Sequence, residues 1–190
     1  MYTSKRKKLV SVPEDLLEEA TKLSRSKGAS VGRLFEDALH QAIRVNSVGY
    51  DLKQVADFFE VVQAQKVLGG IFVPSNVLDY LVESVYKTDK ETLQAKWYES
   101  GHWTGKYLKE KFALPVETLR TFLVFSRWDL NEVEVKEVGS SIKIRCISTV
   151  LSSGSTELLC KFIEGILAGM GYQIGKMECL KGMIIIETKN

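Results

Sequence analysis

Four cations stand among the first eight residues, Lys5, Arg6, Lys7 and Lys8, directly before the alternating run Leu9-Val10-Ser11-Val12. Lysine and arginine can neutralise phosphate or reach the acceptor edge of guanine, and a serine hydroxyl can donate to or accept from a base edge. In an extended chain every second side chain shares a side. With Val10 and Val12 packed inward, Lys5, Lys7, Leu9 and Ser11 form one outward row, and Arg6 adds charge beside it. The opposite register exposes Lys8 but also exposes two valines and buries Ser11, which disfavours it. Leu9 is the odd member of the row, offering only an apolar contact of the kind a thymine methyl accepts. A second set is Ser30, Val31 and Arg33, where a serine opens a helix whose first amides lack partners and suit an anion. Each feature has a plainer reading: a short basic run serves as a solvated tail, and Ser30 as an ordinary cap.

The elements that must hold these residues follow from periodicity. Residues 7–12 read as a short strand, closed by Pro13, which has no N–H to donate. Pro13-Glu14-Asp15 is a helix start, with carboxylates at the positive end of the dipole. Leu16, Leu17, Ala20 and Leu23 give that helix an apolar face, Gly28 stops it, and Ser30 begins another running to about Asn46. Residues 1–46 carry nine Lys/Arg against six Asp/Glu, and the rest of the chain carries 17 against 18, so the positive excess lies at this end. A lone six-residue strand and two such helices make too small a core to stand alone. Two copies pairing their strands antiparallel about a twofold axis would bury the helix faces together and leave a ribbon shaped for a major groove.

The run Lys7-Lys-Leu-Val-Ser-Val-Pro-Glu-Asp-Leu-Leu17, followed a helix later by Lys27-Gly-Ala-Ser-Val31, resembles the ribbon-helix-helix family of Arc- and CopG-like repressors over about a quarter of the chain. The resemblance implies a homodimer on double-stranded DNA, with a tetramer as the next assembly. It also implies base reading by the outward strand residues and a phosphate held at the start of the second helix.

Asn46-Ser47-Val48-Gly49 reads as a hinge, with residues 47–68 as a helical linker broken by Gly69-Gly70. Residues 69–190 read as a separate α+β domain, helices first. Helices are expected at 75–88, 90–112 and 115–127. A hairpin follows through Val133, Val135, Val138, Ile142, Ile144 and Cys146, then a helix at 155–170 and strands at 172–179 and 183–188 turned by Lys181-Gly182. Three stretches, Gly101-His-Trp-Thr-Gly105, Phe162-Ile-Glu-Gly165-Ile-Leu-Ala-Gly169 and Glu178-Cys-Leu-Lys-Gly182, resemble the 4-vinyl reductase domain and the related TRAPP vesicle-tethering fold. That resemblance implies a sensor for a small apolar molecule, and the domain is also expected to serve in dimerisation. Trp97, Gly101, Trp103, Gly105, Phe122 and Phe125 are its candidate ligand-binding residues, although spaced glycines and aromatics at helical spacing equally describe packing.

Catalysis finds little support. The two histidines, His40 and His102, have no evident partners, no GxSxG or phosphate-binding Gly-Lys-Ser/Thr loop occurs, and no metal or cofactor site is indicated. Cys146, Cys160 and Cys179 lack zinc-type spacing and read as buried thiols, with Cys179 the one open to oxidation if exposed. No run of about 18 apolar residues is present, so a cytoplasmic, membrane-free protein is expected. The leading expectation is a ligand-controlled transcriptional regulator, repressor or activator. The alternative is an antitoxin-like or adaptor protein whose larger domain binds a protein partner.

Overall fold

The computed structural model describes residues 8–189, and the chain divides into an amino-terminal unit ending at Ala56 and a carboxyl-terminal unit beginning at Asp57. The amino-terminal unit contains α1 (Glu14–Ser26) and α2 (Val31–Ser47), and the division falls within α3 (Leu52–Val67). Then follow α4 (Ser75–Tyr86), α5 (Lys90–Lys111), α6 (Pro115–Ser126), β1 (Glu132–Val138), β2 (Ser141–Ile147), α7 (Ser153–Met170), β3 (Ile174–Leu180) and β4 (Met183–Thr188). The fold class is α+β, as the change of period along the sequence leads one to expect.

Helix α1 starts after Pro13 with Glu14 and Asp15 in its first turn. It ends where Gly28 takes φ +63° and the Ala29 amide donates to the Ser24 carbonyl at 3.0 Å, a left-handed closure that glycine adopts without steric cost. The strand expected at 7–12 is not found: residues 8–12 form no strand, and Lys7 lies outside the described residues. The physical reason is that a strand's amides and carbonyls must be paired, and the single chain brings no second strand to this segment. Leu9 and Val10 are accordingly open to solvent.

In the carboxyl-terminal unit the four strands form one antiparallel sheet in the order β1-β2-β4-β3. Ile144 pairs with Ile186 and Cys146 with Ile184, so the alternate residues Ile142, Ile144, Cys146, Ile184 and Ile186 share the buried face. The opposite face carries charge, with Lys143 bonded to its cross-strand partner Glu187 at 3.0 Å and Arg145 bonded to Glu132. Leu119, Phe122 and Leu123 of α6, Leu108 of α5 and Leu159, Ile163, Ile166 and Leu167 of α7 complete one core with that sheet face. Val61 and Ala64 of α3 join the same core. The Lys181-Gly182 turn forms as expected. The Gly182 amide donates to the buried Thr156 hydroxyl of α7 at 3.0 Å, fixing the β3–β4 hairpin to that helix.

Helices α5 and α7 meet along four glycines. A Cβ on Gly101 or Gly105 would lie 2.0 Å from the Phe162 or Ile166 carbonyl oxygen, and one on Gly165 or Gly169 would lie 2.1 or 2.2 Å from the Tyr98 or His102 carbonyl oxygen. Backbone thus touches backbone, and these glycines serve packing.

The cysteine expectation is corrected. Cys160 on α7 and Cys179 on β3 are joined in a disulfide across a Cα separation of 6.4 Å, and are not two separate thiols. Their partnership depends on α7 lying over β3, which no local spacing reveals. Cys146 keeps a free, buried thiol, pushed up to about 12 by burial.

Candidate nucleic-acid interface and apolar pocket

The residues expected to face a groove fall into three groups. Lys5, Arg6 and Lys7 lie outside the described residues. Leu9 and Ser11 are exposed on the extended segment before α1, with nothing packed over Leu9. Ser30, Val31 and Arg33 sit at the start of α2, where the Ser30 hydroxyl accepts from the Arg33 amide at 3.3 Å. That bond satisfies one orphan amide and leaves Val31 and Gly32 at the open, positive end of the helix. Arg33 is exposed beside them.

The helices behind these residues are amphipathic, yet α2 buries none of its 17 residues and α1 buries only Ser24. Leu16, Leu17 and Leu23 of α1 and Leu39 and Ile43 of α2 are all exposed. His40, on α2, is exposed as well.

The expected ligand-binding residues of the larger unit are not gathered around one cavity. Gly101 and Gly105 are consumed in the α5–α7 seam, and Phe122 is buried in the core. Phe125 packs edge-on against Phe58 with centroids 5.6 Å apart. Trp103 is exposed beneath Lys106, whose Nζ is 4.8 Å from the ring. Trp97 lines a cavity of about 110 Å³ whose walls include Leu78, Val82, Leu151 and Leu158, and Phe122 lines a separate void of only about 10 Å³ beside Val61 and Leu108. The rim adds Asp79, Ser155 and the Arg127–Asp129 pair. Arg127 donates twice to Asp129, from Nε at 2.9 Å and Nη2 at 2.5 Å. Asp129 is further tied through its carbonyl, which accepts from the Ser148 hydroxyl at 2.6 Å.

Beside this pocket is a polar cluster that sequence reasoning missed. Glu157 of α7 accepts from the Tyr86 hydroxyl at 2.5 Å and from Gln94 at 3.1 Å, and pairs with Lys90 at 2.6 Å. The Lys90 ammonium also lies over the Tyr86 ring, 4.8 Å from its centroid. Lys90 and then Tyr86, by hydrogen bonding, hold the Glu157 carboxyl below its ordinary range. Burial first, then Glu157, raises the Tyr86 phenol, while the Glu157 bond raises Lys90. These residues come from three helices, α4, α5 and α7, so no linear motif carries them.

Among the described residues no group of three or more His, Cys, Asp or Glu is placed to hold a metal ion, and no helix is long and apolar enough to cross a membrane. Comparison with family models, curated proteins and solved structures finds no match.

Proposed function

We propose that the protein is a transcriptional regulator whose amino-terminal unit pairs with a second copy as a ribbon-helix-helix dimer and inserts a two-stranded ribbon into the major groove of DNA. The observation that carries this reading is the α1–α2 unit itself. It has two amphipathic helices with a glycine-closed turn and a serine-capped second helix, and its apolar stripe is nowhere fully buried, with Leu16, Leu17, Leu23, Leu39 and Ile43 exposed and Leu34 and Phe35 only half-buried. Helices of this length gain most of their stability from packing that stripe. A twofold partner supplies the packing and, at the same time, a pairing strand for residues 7–12. Lys5, Lys7, Leu9 and Ser11 then face the groove, Arg6 adds charge, and Ser30, Val31 and Arg33 meet a phosphate.

With Leu9 in the reading row, phosphate contacts supply most of the affinity and base selectivity is modest. Fluorescence anisotropy of the full chain with duplex DNA from upstream of its own coding sequence tests this. If about six phosphates are neutralised per dimer, affinity falls roughly a thousandfold between 50 and 200 mM salt. Deleting residues 1–12 abolishes binding. No binding at low salt, or equal binding after the deletion, sinks the proposal.

The larger unit acts in this reading as the sensor, with a small, largely apolar molecule bound in the pocket at Trp97. Native mass spectrometry of the purified full chain tests for retained ligand. Trp97→Ala lowers that occupancy, whereas Trp103→Ala, on the exposed part of α5, leaves it unchanged.

A further inference from the structure

The larger unit exposes an apolar surface that the proposed ribbon dimer does not use. Helix α4 has apolar residues round most of its circumference: Val82 is buried and, with Leu78, lines the pocket, while Val77, Tyr80, Leu81 and Val85 are exposed. Its only charges are Asp79 and Glu83, and it carries no lysine or arginine. A helix with this pattern is normally covered on both sides. Ahead of it Ile71 is 83% exposed and Phe72 72% exposed, and the Phe72 ring stacks on Trp128, itself 70% exposed, with centroids 5.9 Å apart. Tyr80 is 72% and Leu81 53% exposed. Soluble monomers rarely leave such residues together in patches above a few hundred Å². Three aromatic and several aliphatic side chains open to this degree amount to an area on the order of 800 Å², one side of a standard protein–protein interface.

We infer that this face, centred on α4, docks against the same face of a second copy of the chain. Three observations select that occupant. The exposed stripe Val77, Leu81, Val85 repeats every four residues, so two such helices crossing about a twofold axis at Leu81 place like against like, as an isologous contact requires. The helix offers no cation to a nucleic acid or acidic peptide, and its two carboxylates, Asp79 and Glu83, lie outside the Val77-Leu81-Val85 stripe, while aromatic residues dominate the patch as they do interface centres. The third is a matter of concentration and rests on the ribbon-helix-helix reading. Pairing through the amino-terminal units holds two larger units at high effective concentration, so even a weak contact between them is populated. Each protomer therefore self-associates through two separate surfaces, and the larger unit supplies dimer stability that the small helical unit lacks.

The test is sedimentation velocity of the full chain over a range of micromolar concentrations, with DNA affinity measured in parallel. The wild type is expected to be dimeric, and Leu81→Lys and Tyr80→Lys, both at exposed positions of a helix, to raise the dimer dissociation constant at least tenfold with unchanged circular dichroism. Leu39→Lys on α2 is expected to impair DNA binding more than it impairs dimerisation. The inference is overturned if Leu81→Lys and Tyr80→Lys leave the dissociation constant unchanged while Leu39→Lys alone yields monomers. It is equally overturned if the wild type stays monomeric throughout, whether the α4 amides are then protected from hydrogen exchange by the chain itself or exposed for some other protein. Dissociation by Leu81→Lys together with DNA binding indifferent to Leu39→Lys would uphold the α4 contact and reject the ribbon dimer.

Discussion

Glu157 gathers the hydroxyl of Tyr86, the amide of Gln94 and the ammonium of Lys90 on one carboxylate. Its carboxyl is held below the range it has in an unfolded chain, so its stabilising contribution is complete above about pH 5 and fades as pH falls through the folded value. The pair is more than a third exposed, so solvent screening keeps the effect small. Glu157→Gln, which keeps a partner for Tyr86 but loses the ion pair, should melt a few degrees below wild type at pH 7. The two melting curves should converge below about pH 4, and thermal unfolding followed against pH checks this. A second residue-scale expectation concerns glycine. Gly165→Ala drives a methyl into the Tyr98 carbonyl and should cost about 3 kcal/mol or more by urea denaturation. At Gly32, where nothing lies within 4 Å of the added Cβ, alanine should be neutral or stabilising by up to about 1 kcal/mol.

At the scale of elements, the α7–β3 disulfide makes a further prediction. It closes a loop with a sequence separation of 19, for which chain-entropy reasoning gives about 3 kcal/mol of stabilisation. Reduction, or Cys160→Ala, should lower the urea midpoint accordingly, and iodoacetamide labelling of the unfolded, unreduced protein should find one free thiol, Cys146. Most elements were legible beforehand because their signals are local. Gly28, Ser30, Gly139 and Lys181-Gly182 punctuate the chain where helices and hairpins turn, and the period-two run of β2 matches its burial. What could not be read depended on partners distant in sequence. Residues 8–12 have strand alternation but no strand beside them. Cys160 and Cys179 become a pair only after α7 folds over the sheet. Gly101, Gly105, Gly165 and Gly169 mark a close approach in either reading, and only the positions of the two backbones decide for packing over a cavity. The candidate site is legible to the same degree. The Ser30 cap and the exposure of Ser11 follow from local sequence, whereas five of the six proposed pocket residues lie away from the cavity that forms around Trp97.

For the molecule as a whole, the amino-terminal unit opens an apolar stripe on α1 and α2, and the larger unit opens another on α4. If the amino-terminal unit binds DNA as the proposed dimer, affinity is expected to fall on dilution below the dimer dissociation constant, and anisotropy titrations at several protein concentrations should then fail to superimpose on a single-site curve. The glycine seam of the larger unit has a different consequence, for how the chain reaches its native state. Helices α5 and α7 are separated in sequence by α6 and the β1–β2 hairpin, so their contact closes a long loop, which costs folding speed. A slip of one residue along the seam would push Ser100, Thr104, Glu164 or Ala168 into spaces that admit no Cβ. The seam is thus a ruler: it admits one alignment of the two helices and excludes its nearest neighbours.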